Sequence, residues 1–271
     1  MQQDRADGVR ADVPNPARIY DYVLGGKNNF PVDRQAAEYL TQTSPHIRGA
    51  MRENRHFLRR VVQYLAGEVG IGQFLDIGAG LPTAGNVHEV AQRARVVYVD
   101  NDPVVLTHAR ALLEDSDLVR VVSGDARKPR DILNNPIVRT FLDWQEPVAV
   151  LMIGLLHFIP DQDDPAGIVR VFRDAMPPGS HLAISHATVD GYDRSLWRPV
   201  RKVYDRASNS TTLRTYTQIA EYFDGFDLLP AAEGQPQGVV FIPRWRPEGP
   251  REDITAENTG IYGGVGVLKR R

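Results

Sequence analysis

The sequence contains no cysteine. This absence excludes a disulfide framework, a thiolate metal site and a cysteine nucleophile. The sequence also has no apolar run near the ~20 residues that a membrane-spanning helix needs, and its first residues lack the apolar core of a signal peptide. We therefore expect a cytoplasmic protein with no membrane partner.

Charge of either sign is not in excess, because 32 Lys and Arg stand against 34 Asp and Glu. The net charge of −2 gives no overall attraction to nucleic acid, so such a partner would need a local basic patch. Sequence signatures of serine hydrolases and of Walker-type nucleotide sites are also absent. The seven histidines show no metal-binding spacing, and we expect no metal.

Strand-like and helix-like runs alternate from residue 73 onward. The predicted strands lack internal polar alternation and are Gln73–Ile77, Arg95–Asp100, Val119–Ser123, Val148–Ile153 and His181–His186. The predicted helices between them are Asn86–Arg93, Pro103–Glu114, Arg130–Trp144 and Pro165–Ala175. This pattern predicts an α/β, Rossmann-like fold, with a mostly parallel central sheet and helices on both faces.

The two ends of the chain extend this core. Residues 1–17 are predicted to be flexible, and residues 18–70 to form a helical lid segment that includes a helix at Arg48–Ala66. Residues 71–271 would form the main domain, with a substrate-side insertion at about 187–215. Its last part contains a helix and three strand-like runs, the final two of which suit an antiparallel edge: Tyr216–Phe223, Phe226–Leu229, Val239–Trp245 and Ile261–Leu268.

The strongest functional signal is QFLDIGAGLPTAG, in which Asp76 ends the first strand and a glycine turn follows. Gly78 and Gly80, on either side of Ala79, let the backbone turn sharply and approach a ligand closely. Alone, the motif also fits a nicotinamide or flavin site, or simple helix–strand packing.

Three carboxylates narrow this choice. Asp76, Asp100 and Asp125 follow three successive strands, at intervals of 24 and 25 residues. The carboxyl ends of parallel strands meet at one crevice, so these side chains are expected around one ligand. We predict that Asp100, beside Asn101, accepts ribose hydroxyls, and that Asp125, beside Ala126, accepts the adenine amino group.

The ligand suggested by this arrangement is S-adenosylmethionine. A dinucleotide turn usually has a third glycine where this chain has Thr83, and a carboxylate before the glycines suits a cationic ligand better than a pyrophosphate. Asp76 would contact the amino-acid end of the cofactor, and backbone groups at Ile153 and Gly154 would complete the floor. Two alternatives remain open: a non-catalytic sensor of S-adenosylmethionine or S-adenosylhomocysteine, and an NAD-dependent oxidoreductase.

Several segments resemble one known family. These are DIGAGLPTAGNVHEVAQ, VYVDNDP, GDARKP, VAVLMIGLLHFIPD, LAISHAT and the front segment NPARIYDYVLGGKNNFPVDR. They resemble the actinobacterial S-adenosyl methyltransferase family, formerly a domain of unknown function, over Asn15 to about Gly266. The resemblance implies a class I methyltransferase with no established acceptor. This chain departs from the family pattern at Asn28, where the family usually has aspartate.

The front segment combines functional residue types around a Gly-Gly pair, and we predict a lid over the cofactor. The predicted lid residues are Tyr20, Asp21, Gly25, Gly26 and Lys27, with Asn29 and Phe30 touching the cofactor. The alternative is an amino-terminal arm that only packs on the domain.

The remaining predictions concern the acceptor. His157, after the fourth predicted strand, could act as a general base, or could only hydrogen-bond its turn; His186 and Trp197 are predicted on the substrate side. The run Arg194–Arg206 could bind an acidic molecule or nucleic acid, or be a solvated helix face. We expect methyl transfer to O, N or C of a small molecule, achieved mainly by alignment and water exclusion.

Overall fold

The structure is a computed structural model, and it describes residues 9–82, 85–113, 116–191, 197–249 and 259–269. Within these ranges one eight-stranded sheet has the order β3-β2-β1-β4-β5-β8-β6, with β7 paired to β8. The strands are β1 (Gln73–Ile77), β2 (Arg95–Asp100), β3 (Val119–Ser123), β4 (Ala149–Ile153), β5 (His181–Ala187), β6 (Phe226–Leu228), β7 (Val240–Phe241) and β8 (Ile261–Leu268).

Strands β1 to β5 are parallel, whereas β8 runs antiparallel to β5, β6 and β7. Every residue of β1 and β5 is buried, which explains why their sequences show no polar alternation. The order reverses between β1 and β4, creating the crevice where ligands bind in such sheets. The predicted fold class and its antiparallel edge are confirmed.

Ten α-helices lie in the described ranges. They are α1 (Pro16–Val23), α2 (Pro31–Thr43), α3 (Ile47–Gln63), α4 (Val87–Val90), α5 (Pro103–Leu113), α6 (Pro129–Asn134), α7 (Pro136–Phe141), α8 (Pro165–Ala175), α9 (Trp197–Tyr204) and α10 (Tyr216–Ala220). Six of them begin with proline, whose fixed φ and missing N–H suit the first helical position. Within these same ranges, none is long and apolar enough to cross a bilayer.

Proline also accounts for two differences from the prediction. The single helix predicted at Arg130–Trp144 is two helices, because Pro136 disfavours helical geometry at Asn135, whose side chain caps the second helix by accepting from the Ile137 N–H at 2.9 Å. The strand-like run Val239–Trp245 pairs only at β7, since Pro243 lies in the 3₁₀ turn that follows and cannot donate to a ladder.

The amino-terminal helices are fastened to the sheet by a buried arginine. Arg18 on α1 donates from Nε to Asp33 at 2.9 Å and from a terminal nitrogen to Asp102 at 3.4 Å. Its other terminal nitrogen donates to the carbonyls of Arg10 and Val13, two residues of the segment predicted to be flexible. Asp102 also caps α5, accepting from the Val104 N–H at 2.7 Å. One guanidinium therefore joins α1, α2 and the end of β2.

Candidate functional site

A cavity of about 160 Å³, partly open to solvent, lies at the carboxyl ends of the parallel strands. It coincides with the reversal of strand order between β1 and β4. Ten predicted cofactor residues line it: Asp76, Gly78, Ala79, Gly80, Asp100, Asn101, Asp125, Ala126, Ile153 and Gly154. The topology has thus gathered residues from four strand ends around one space.

The glycine turn forms one wall. Gly78 and Gly80 have φ values of 71° and 68°, which side-chain-bearing residues rarely adopt. A Cβ on Gly78 would lie 2.6 Å from Leu155 Cδ1. The Gly80 N–H donates to Asp100 Oδ2 at 2.9 Å. The turn is therefore fixed to the end of β2 and presents bare backbone to the cavity.

Asp76 is only 5% exposed. Burial raises its pKa to about 7, while the charge of Arg55 lowers it and that of Asp100 raises it. The raised pKa of Asp76 therefore reflects its removal from water, because the attraction of Arg55 outweighs the repulsion of Asp100. A cationic group in the cavity would stabilise the ionised form of Asp76.

Asp100 is held by two backbone donors. Its Oδ2 accepts from Gly80 and its Oδ1 accepts from the Asp102 N–H, both at 2.9 Å. Burial raises its pKa, although these hydrogen bonds oppose the shift. A carboxylate oxygen can accept more than one hydrogen bond, so Asp100 is oriented and can still accept from a bound diol.

Asp125 has a partner that sequence reasoning missed. Arg127 donates from its guanidinium to Asp125 Oδ2 at 2.7 Å and from its backbone N–H to Oδ1 at 2.9 Å. Burial alone would raise the pKa of Asp125, but the hydrogen bonds and charge of Arg127, helped by Lys128, lower it. An adenine amino group would thus share this carboxylate with Arg127.

The predicted lid divides into two parts. Tyr20 and Asp21 line the cavity, whereas Gly25, Gly26, Lys27, Asn29 and Phe30 are not among its lining residues. Tyr20 is anchored through its hydroxyl, which donates to the Met51 carbonyl at 2.6 Å. The Asn29 amide donates to Asp21 at 2.8 Å, and Phe30 lies 4.9 Å from the Arg18 guanidinium. The loop that carries Asn29 and Phe30 therefore contacts α1 and does not line the cavity.

The two candidate histidines also lie outside the lining. His186 Nε2 is 2.9 Å from an Arg214 nitrogen; because a guanidinium only donates, Nε2 accepts and Nδ1 carries the proton, which it donates to the Ala187 carbonyl. His157 Nδ1 accepts from the Ala187 N–H at 3.4 Å. Burial, together with Arg214, lowers the pKa of His157 to about 3. This geometry favours the turn-bonding alternative over a general base.

Arg214 organises this region, although nothing around it in the sequence marks it. It is 3% exposed and donates to the carbonyls of Leu156 and Ile159 and to Asp161 Oδ1, at 2.9, 2.8 and 2.6 Å. The loop after β4 is thereby fixed. Three residues of that loop contribute an apolar stretch of the cavity wall: Leu155, Phe158 and Ile159.

Helix α3 contributes two residues that the sequence did not single out, Asn54 and Arg55. The Asn54 side chain accepts from the Ser185 hydroxyl at 2.5 Å, which joins α3 to β5. A Cβ on Gly154 would lie 3.0 Å from Asn54 Nδ2, so glycine at 154 allows this close approach. In the sequence, the only sign that Asn54 and Arg55 could reach a site was their polar character on the buried face of a helix.

The described part of the basic run Arg194–Arg206 makes surface contacts typical of a solvated helix. Arg194 lies outside the described residues. Arg201 forms an exposed ion pair with Asp205 at 3.6 Å, and Lys202 lies 5.4 Å from the ring of Tyr39. Trp197 starts α9 and packs against the apolar cluster of α1 and α2. This arrangement favours the solvated-face alternative. Across the described ranges, no group of three or more His, Asp or Glu side chains could hold a metal ion.

Comparisons with known protein families and with solved structures both indicate a methyltransferase family. A family model described as S-adenosyl methyltransferase matches residues 2–269. A candidate methyltransferase from Thermobifida fusca is similar, with 39% identity, coverage of 96% of this chain and 97% of that chain, and a TM-score of 0.86. So is a DUF574 family protein from Streptomyces avermitilis, with 38% identity, 96% and 100% coverage, and a TM-score of 0.88. None of the curated proteins matched the sequence.

Proposed function

Since the chain belongs to the S-adenosyl methyltransferase family and takes S-adenosylmethionine as its cofactor, we propose that the cavity aligns this cofactor with a small-molecule methyl acceptor. The observation that carries the proposal is the convergence of Asp76, Asp100 and Asp125 with the Gly78–Gly80 turn on one cavity. A cytoplasmic location and an actinobacterial source belong to the same proposal, the latter because both relatives come from such bacteria.

The residues present fit this cofactor. The buried Asp76 would receive the ammonium group, and the neighbouring Arg55 guanidinium would receive the carboxylate. Asp100 would bind the ribose hydroxyls, and Asp125 the adenine amino group, with Arg127 keeping its carboxylate in place. The bare backbone at Gly78 and Gly80 would admit the ligand without steric conflict.

The catalytic contribution of the chain is positioning. When bound, the cofactor supplies an activated methyl group. Asp76 and Asp125 would hold its two ends and Asp100 its ribose, and the Arg214-braced loop after β4 provides an apolar wall that excludes water. Helix α1 covers the cavity from the other side, with Ala17 Cβ 4.0 Å from where a Cβ on Gly80 would be. Orientation of two reactants can lower a barrier by about 7–11 kcal/mol without a covalent intermediate.

Isothermal titration of the ligand-free protein with S-adenosylmethionine, S-adenosylhomocysteine and NAD tests the donor site. We expect the first two to bind and Asp100→Ala to weaken both by about 30- to 100-fold, because two charge-assisted hydrogen bonds to ribose are lost. Asp224→Ala is the matched control, since Asp224 is exposed. Absence of S-adenosylmethionine binding by the folded protein would refute the proposal, and binding of NAD alone would favour the oxidoreductase.

Limited trypsin digestion tests the lid. Lys27 is exposed, and its loop rests on α1, which lines the cavity. A saturating cofactor should slow cleavage after Lys27 by at least about threefold. The cofactor binds the closed form, so it lowers the population in which α1 has opened and the loop can be cleaved. Cleavage after Arg139 on α7 serves as the internal reference. Equal slowing at both sites would mean global stabilisation and would contradict a lid.

A further inference from the structure

We propose that Asp21 recognises a cationic nitrogen group, such as an ammonium or amidinium, on the methyl acceptor. This inference rests on the proposed function and narrows it to a substrate class. It starts from a buried carboxylate that lines the cavity and has no role in the donor site described above.

The Asp21 side chain is firmly placed. Asp21 is 2% exposed, and its Oδ2 accepts from the Asn28 N–H at 2.9 Å and from Asn29 Nδ2 at 2.8 Å. A Cβ on Gly26 would overlap the carboxylate, so glycine at this position lets the loop close over it. The second glycine of the Gly-Gly pair is thereby explained by Asp21.

Asp21 has no ion-pair partner in the part of the chain that the structure describes. Its two hydrogen bonds come from a backbone amide and a neutral side chain, and among the described residues no lysine, arginine or histidine forms an ion pair with it. Buried carboxylates are normally paired, because an uncompensated charge is costly to remove from water. A ligand cation would supply the missing partner.

The charges of the cavity lead to the same conclusion. Four carboxylates line it, those of Asp21, Asp76, Asp100 and Asp125, against the two guanidiniums of Arg55 and Arg127. The lining therefore has two more carboxyl groups than guanidinium groups. The cofactor carries a sulfonium, an ammonium and a carboxylate, so it adds one net positive charge and leaves one carboxyl group without a cationic counterpart.

The position of Asp21 separates it from the donor carboxylates. Arg127 pairs with Asp125, and the charges that act on the pKa of Asp76 are those of Arg55 and Asp100. Asp21 instead lies on α1, four residues beyond Ala17, which packs over Gly80; this is about one helical turn, or about 6 Å, further along the helix. Its cavity also has an apolar wall of Leu155, Phe158 and Ile159. A cation attached to an apolar body suits this combination.

Three probes of similar size test the inference: benzylamine, benzyl alcohol and benzoate, each titrated by ligand-observed NMR into protein saturated with S-adenosylhomocysteine. For the unmodified protein we expect the Kd of benzylamine to be at least about tenfold below that of benzyl alcohol, with benzoate weakest. In Asp21→Asn this preference should fall below about threefold, because asparagine keeps an acceptor for Asn28 and Asn29 but not the charge.

Controls separate this inference from the proposed function. S-adenosylhomocysteine binding to Asp21→Asn should stay within about threefold of the unmodified protein, and thermal unfolding should confirm that the variant is folded. Glu38→Gln, which changes an exposed carboxylate on α2, should leave all three probes unaffected. Equal binding of the probes, no binding of benzylamine, an unchanged preference in Asp21→Asn, or a large loss of S-adenosylhomocysteine affinity in that variant would overturn the assignment. Failure of the unmodified protein to bind S-adenosylhomocysteine would instead reject the donor site.

Discussion

Replacing Asp76 with asparagine is expected to stabilise the ligand-free protein at pH 8 while weakening S-adenosylmethionine binding by about 30- to 100-fold. The expected gain in unfolding free energy is about 2–4 kcal/mol, which corresponds to a rise in melting temperature of roughly 5–10 °C. Both effects have one cause. The ionised carboxylate is unfavourable in the empty site and favourable beside a bound ammonium group.

The raised pKa of Asp76 fixes the direction in which the stability of the folded protein changes with pH. Burial raises the folded-state pKa of Asp76 from 3.8 to about 7, so between these values the folded protein holds a proton that the unfolded chain has lost. Its stability therefore falls as pH rises from about 4 to about 7 and stays reduced above that. The advantage of Asp76→Asn should grow over this interval and then become constant.

Calorimetric melting at pH 5 and pH 8, with and without cofactor, checks the expectation. Asp224→Asn, which changes an exposed carboxylate, should shift the melting temperature by less than about 1 °C at either pH. A lower melting temperature for Asp76→Asn at pH 8, or a gain equal at both pH values, would contradict a raised pKa of Asp76 caused by its burial.

Arg18→Met is expected to lower the unfolding free energy by about 3–5 kcal/mol, the usual cost of breaking a buried ion pair by removing one partner. Asp33 and Asp102, which are 0% and 6% exposed, would lose their shared cation. Arg18→Lys should recover less than half of the loss, because one ammonium cannot reproduce the planar fork that reaches two carboxylates and two carbonyls.

Urea unfolding followed by circular dichroism measures this loss, and cofactor titration provides a second readout. Asp102 donates its N–H to Asp100, so displacement of Asp102 should also weaken S-adenosylmethionine binding, by about tenfold. Arg10→Met is the matched control: its pair with Asp12 is 3.8 Å long and largely exposed, and such pairs contribute less than about 1 kcal/mol. Similar losses for the two variants would refute a special role for Arg18.

The fold and the donor wall were predictable because they depend on order along the chain. Runs without polar alternation indicate buried parallel strands, and carboxylates that follow such strands must meet at one edge. Asp76, Asp100 and Asp125 accordingly line the same cavity. Family membership and the S-adenosylmethionine cofactor are likewise confirmed.

The other features of the site depend on contacts between segments that are distant in the sequence, and such contacts produce no periodic pattern of residue types. Arg214 braces a loop more than fifty residues earlier in the chain, and Asn54 on helix α3 meets Ser185 on strand β5. His157 shows the limit most clearly: its place after β4 was predicted, but its ring accepts a hydrogen bond from the Ala187 N–H, and burial and Arg214 lower its pKa. Its role as a base, like the lid and the individual ligand contacts, stays a prediction.

The position of β8 has a consequence for synthesis on the ribosome. This strand follows β6 and β7 in the chain, yet it lies between β5 and β6 and pairs with all three of its neighbours. The parallel half that carries the donor wall can assemble in the order in which it emerges. Until residues 261–268 follow, however, β5 remains an unpaired hydrophobic edge, the kind of surface that recruits strands from other chains. For this protein, protection from aggregation comes later in translation than the formation of its binding wall.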